Sequence, residues 1–70
     1  MKSRTQKILS HRVREARKYE GMSQHELARK IGTHFTAISH IECGRRMPEI
    51  EKLVRLTKAL DVSSDWLLGL

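Results

Sequence analysis

Seventy residues with a mass of 8.1 kDa hold one small domain around one core, which excludes multidomain enzymes. Fourteen Lys and Arg against eight Asp and Glu give a formal charge of +6 and a pI near 10.1, an excess that favours a polyanion as partner. With 39% hydrophobic and 31% charged residues the chain is too apolar for a disordered basic tail and too mixed for a membrane span, so a folded, soluble chain is expected.

The longest apolar runs, Ile8-Leu9 and Trp66-Leu67-Leu68, fall far below the roughly 20 residues that cross a bilayer. The N-terminus also lacks the apolar stretch of a signal peptide, so a cytoplasmic location with no membrane partner is expected. Cys43 is the single cysteine, so no internal disulfide can form and stability must come from packing. The charge is unevenly distributed. Residues 1–20 carry seven basic and two acidic side chains, residues 21–47 four and two, and residues 48–70 three and four. The basic side of the molecule therefore belongs to the first two thirds of the chain.

Residues 1–7 are polar and basic and read as an N-terminal arm, frayed at its start, ahead of a single domain at 8–70. Ile8, Leu9, Val13 and Ala16 recur at helical spacing, and strand-like alternation is absent throughout. Gly21 ends this first segment, with Arg17 and Lys18 in the last turn, where cations suit the helix dipole. Ser23-Gln24-His25-Glu26 reads as a capping box that opens a second helix. That helix presents Leu27, Ala28 and Ile31 on one face and stops at Gly32. A third apolar set, Ala37, Ile38 and Ile41, ends at Cys43-Gly44. Arg45-Arg46-Met47-Pro48 is a basic loop whose proline cannot continue a helix but can begin one. Ile50, Leu53, Val54, Leu56, Thr57 and Leu60 form a fourth helix. Ser63-Ser64-Asp65 caps a short fifth that carries Trp66, Leu67 and Leu68. Trp66 and Leu67 are expected to close the core, and Leu68 and Leu70 to remain exposed. The class is all-α with five helices.

Two short helices joined by a tight glycine-containing turn, at about 24–42, make a helix-turn-helix. The motif has specific steric demands. The helices cross steeply, so the facing position on the first must be small, and Ala28 sits there. The turn needs a residue that tolerates positive φ, and Gly32 supplies it. The inward positions must be aliphatic, as Leu27, Ile31, Ile38 and Ile41 are.

The chain resembles the Xre/Cro/phage-repressor helix-turn-helix family over nearly its whole length. The matching segments are Arg12-Val13-Arg14-Glu15-Ala16-Arg17, Met22-Ser23-Gln24-His25-Glu26-Leu27-Ala28, Ile38-Ser39-His40-Ile41-Glu42-Cys43-Gly44-Arg45-Arg46-Met47-Pro48 and Leu56-Thr57-Lys58-Ala59-Leu60-Asp61-Val62-Ser63. The resemblance implies a five-helix lambda-repressor-like DNA-binding domain from a bacterium or phage, with its third helix, about 35–42, in the major groove. It places Phe35, Thr36, Ala37 and His40 toward the bases, with Ser39 beside them. Phe35 and Ala37 can touch a thymine methyl, Thr36 can hydrogen-bond or offer its own methyl, and His40 can donate to guanine or phosphate. The set lacks Arg, Gln and Asn, which suggests apolar contacts at A·T-containing sites together with shape readout.

The resemblance further implies phosphate contacts from Gln24, at the N-terminus of the second helix, and from Arg45 and Arg46 with the Cys43 and Gly44 backbone. It also implies a largely buried structural ion pair between Arg17 and Glu42. The chain departs from the family pattern at two positions. Thr33 occupies a usually aliphatic turn position, and His34 stands where Ser or Thr usually caps the third helix. Either Thr33 caps one residue early or His34 caps poorly, which leaves the start of the recognition helix open.

Four histidines and a cysteine raise the question of a metal, but the paired ligand spacing of a structural zinc site is missing, so no metal and no cofactor are expected. Ser39 and His40 point in different directions on a helix and cannot act as a nucleophile and base, and no phosphate-binding glycine loop exists, so no catalysis and no small-molecule substrate are expected. The expected function is sequence-specific binding of double-stranded DNA by a homodimer, as a transcriptional regulator and more specifically a repressor, on a palindromic operator. The alternative is an antitoxin or adaptor module whose main partner is a protein.

Overall fold

The computed structural model describes residues 2–70, which form five helices and, among the described residues, no strand. They are α1 (Arg4–Tyr19), α2 (Gln24–Ile31), α3 (Phe35–Glu42), α4 (Ile50–Leu60) and α5 (Ser64–Leu68). Helix α1 starts earlier than its apolar spacing suggests, because the hydroxyl of Ser3 accepts from the Gln6 N–H at 3.1 Å and caps the helix. Residues 4–7 are thus its first turn rather than an arm, while the expected fraying at Met1 lies outside the described residues. The same turn is tied across the molecule. Lys2 Nζ donates to the Cys43 carbonyl at 2.7 Å and Gln6 Nε2 to the Gly44 carbonyl at 2.9 Å.

The capping box of α2 is complete: the Glu26 N–H donates to Ser23 Oγ at 3.0 Å, and the Ser23 N–H donates to Glu26 Oε1 at 2.9 Å. These bonds, with the Ser23 backbone foremost, hold the Glu26 carboxyl below the usual carboxylate range. The helix ends at Gly32, whose φ of +73° lets the chain reverse while the Thr33 N–H still reaches the Ala28 carbonyl at 2.9 Å. His34 takes the N-cap position of α3, and its side chain makes no capping bond, so the recognition helix begins at Phe35. Ser63 caps α5 by accepting from the Trp66 N–H at 3.0 Å.

Leu9, Val13 and Ala16 of α1 meet Leu27, Ala28 and Ile31 of α2, Ile38 and Ile41 of α3, Leu56, Ala59 and Leu60 of α4, and Leu67 of α5 in one buried cluster. Helix α1 packs on α3, α4 and α5, and α2 packs on α3 and α4. Because α5 is little more than one turn, it can turn only one large side chain fully inward. That residue is Leu67, whereas Trp66 stays 36% exposed, contrary to its expected place in the core. Its ring lies beneath the Arg12 guanidinium, 5.1 Å from the centroid, and its carbonyl accepts from Arg12 Nη1. Leu70 is exposed, but Leu68 is half-buried against the core. No helix among the described residues is long and apolar enough to cross a membrane.

Candidate nucleic-acid interface

The outward side of α3 is set by its inward one. Ile38 and Ile41 point into the core, so the residues between and before them are left to solvent. Phe35 and Thr36 are exposed, and Ala37, Ser39 and His40 are half-buried. Thr36, Ala37 and His40 line an open cleft of about 510 Å³, together with Arg46, Met47 and Lys52 from the following loop and α4. Three of the base-reading candidates and one of the phosphate candidates therefore share one concave surface. Lys52 adds a cation to it that the sequence reading did not single out.

Phe35 lies outside this cleft. Its ring neither folds onto the core nor stands alone in solvent, but stacks on His25 of α2 with centroids 4.2 Å apart and planes 6° from parallel. The side chain remains 38% exposed.

Beneath the surface, Arg17 and Glu42 form a two-point ion pair, with Arg17 Nε donating to Oε2 at 2.7 Å and Nη2 to Oε1 at 3.0 Å. Both residues are buried, and Arg17 Nη1 is further satisfied by the Met22 carbonyl at 2.8 Å. The bonds from Glu42 raise the pKa of Arg17 against the opposing effect of burial. Gln24 joins the pair by donating from Nε2 to Glu42 Oε1 at 2.9 Å. This leaves its amide oxygen and its second N–H for anything outside.

The exposed Arg45 and Arg46 follow α3 directly, and among the described residues neither takes part in a salt bridge. The backbone between α3 and this loop is differently placed from the expectation that its amides face phosphate. The Cys43 N–H donates to Ser39 O at 2.9 Å, Gly44 to Ile41 O at 3.1 Å, and Arg45 and Arg46 to His40 O at 2.8 and 3.3 Å. The C-terminal turn of α3 uses these donors, so an anion there would meet the Arg45 and Arg46 side chains.

A helix-turn-helix family model matches residues 13–67. The chain belongs to the Xre/Cro-type helix-turn-helix family. Among curated members, the HTH-type transcriptional regulator ImmR of Bacillus subtilis (strain 168) is 36% identical over 61 residues, which cover 87% of this chain and 48% of that protein. Among solved members, the P22 c2 repressor in complex with a synthetic operator superposes with a TM-score of 0.83 at 37% identity, covering 86% of this chain and 91% of that one. SinR, described as the master regulator for biofilm formation and solved in complex with DNA, gives a TM-score of 0.81 at 36% identity, covering 86% and 97%. The chain spans about half the length of the curated relatives it matches. The fold is the five-helix repressor-like one of this family, whose members are transcriptional regulators.

His25, Lys52 and the Gln24–Glu42 bond are the parts of the surface that sequence reasoning missed. Each depends on a neighbour ten or more residues away that no local pattern announces.

Proposed function

We propose that this chain is the DNA-binding unit of a transcriptional repressor that reads the major groove with α3. The observation that carries the reading is the outward side of α3. Phe35 and Thr36 are exposed, Ala37, Ser39 and His40 are half-buried on the side away from Ile38 and Ile41, and two exposed arginines stand at its end, in a fold that superposes on an operator-bound repressor with a TM-score of 0.83. Phe35, Thr36, Ala37, Ser39 and His40 meet base edges, while Gln24, Arg45 and Arg46 meet phosphates. The active form is a homodimer on a palindromic operator in the cytoplasm, because one recognition helix of this size makes too few base contacts for strong discrimination.

Selection of bound sites from random duplexes, with the size of the complex measured, tests the proposal. The expected result is two half-sites about one helical turn apart and an affinity that falls steeply with salt. No measurable affinity for any duplex at low salt would overturn it and favour a module whose main partner is a protein.

A further inference from the structure

Helix α3 is anchored unequally at its two ends. At its C-terminal end, Glu42 is buried and held by Arg17 and Gln24. At its N-terminal end, the cap residue His34 makes no side-chain bond, and Phe35 projects with 38% of its surface exposed. A phenylalanine in such a position can exchange between rotamers about two bonds, and a ring that moves cannot present a fixed edge to a ligand. The contact that limits it comes from α2, where the ring of the exposed His25 lies flat against one face of Phe35, centroids 4.2 Å apart and planes 6° from parallel. With one face covered, the edge and the other face of Phe35 are what remains for a partner.

We propose that His25 is a specificity-determining positioning residue: its ring clamps Phe35 so that the free edge of Phe35 reads the C5-methyl group of a pyrimidine in the major groove. The inference rests on the DNA-binding function proposed above and adds to it a residue outside the recognition helix. A flat aromatic edge held at one place gives apolar contact to a methyl group and no hydrogen bond to any base, so it distinguishes thymine from uracil, which differ in that methyl alone. Gln24 and His25, adjacent in sequence, then hold the two ends of α3, one by a hydrogen bond to Glu42 and the other by the stack.

The test uses the half-site obtained by selection, with thymines replaced by uracil one position at a time. The native chain should lose about fourfold in affinity at one position, the worth of one methyl group taken out of water. Phe35→Ala should abolish that difference. His25→Ala should shrink it while leaving binding to mixed-sequence duplex and its salt dependence unchanged. His25→Phe, which keeps a flat ring, should restore it. His25 lies outside the core, so unchanged helical circular dichroism is expected for both variants and confirms that folding is not what is being read. Full thymine–uracil discrimination in His25→Ala, or no thymine position that responds in the native chain, would overturn the inference and leave duplex binding intact. An equal loss on all duplexes in both His25 variants would make His25 a phosphate contact instead. Absence of binding to any duplex would overturn the DNA-binding function as well.

Discussion

Gln24 donates to Oε1 of Glu42 at 2.9 Å, so the residue that opens α2 also holds the residue that closes α3. The acceptor is shared with Arg17 Nη2 at 3.0 Å, which makes the carboxylate the meeting point of α1, α2 and α3. A charge in that position is hard to lose singly. Arg17→Met should destabilise the domain by about 3–5 kcal/mol, because it leaves a buried carboxylate without its counter-ion. The double change Arg17→Met with Glu42→Leu should recover most of that loss, since it removes both charges. Chemical unfolding of the two variants checks the ordering, and equal losses in both would show that the pair is not what is being measured.

Arg45 and Arg46 differ from His40 in what they offer a duplex. Each arginine is exposed and extends from the loop after α3, Arg46 at the edge of the cleft, whereas His40 is half-buried on α3 itself beside Thr36 and Ala37. Replacing either arginine by Ala should weaken all sequences alike and reduce the slope of log K against log salt by about 0.9. Replacing His40 or Thr36 by Ala should relax preference among half-sites and leave the slope unchanged. Titrations at several salt concentrations on matched and mixed duplexes separate the two outcomes, and a uniform loss from His40→Ala would contradict its role at a base.

The capping box gives the stability a dependence on pH. The Glu26 carboxylate accepts from the Ser23 N–H, and its pKa is depressed in the folded chain. A group whose folded pKa is depressed adds stability that is present above its unfolded pKa and is lost as pH falls through the folded value. The melting temperature should therefore fall as pH drops below about 4, the ordinary range of a carboxylate. Glu26→Gln can still accept the Ser23 N–H but cannot titrate, so its profile should be flatter over the same interval. Thermal melts followed by circular dichroism across acid pH make the comparison, with identical profiles as the negative result.

Gly69 combines a φ of +75° with a close approach to α1, where an added Cβ would lie 2.9 Å from Ile8 Cδ1 and 3.0 Å from Ile8 Cγ2. Gly69→Ala should cost about 1–2 kcal/mol from the left-handed backbone alone, with the clash adding to it. Adding Ile8→Ala should remove the clash contribution without relieving the backbone one. Measured stabilities of the single and double variants decide how the cost divides.

The fold was legible because its signals are local. Ser23 and Glu26 three residues apart in a capping box, Gly32 at the helix end and the spacing of Leu27, Ala28 and Ile31 together specify α2 from its own residues. The misreadings arise where a short polar signal competes with an apolar one. Ser3 caps α1 ahead of the first apolar residue, so residues 4–7 look like an arm when read by hydrophobicity and form a helical turn when read by capping. Trp66 looks like core by composition, yet a helix of one turn has room to bury only Leu67. At the candidate interface, the residues of α3 follow from the family resemblance and from their place opposite Ile38 and Ile41. The His25–Phe35 stack does not, because it joins two helices through side chains that are both exposed and carry no hydrophobic periodicity.

Leu9 and Leu67, both fully buried, bring the first and last helices into one core. The chain closes nearly its longest available loop in making that contact, so the entropy of closure falls on the same event that completes the core. Folding of this domain is accordingly expected to be all-or-none and slower than that of a helical bundle whose contacts are all between sequence neighbours.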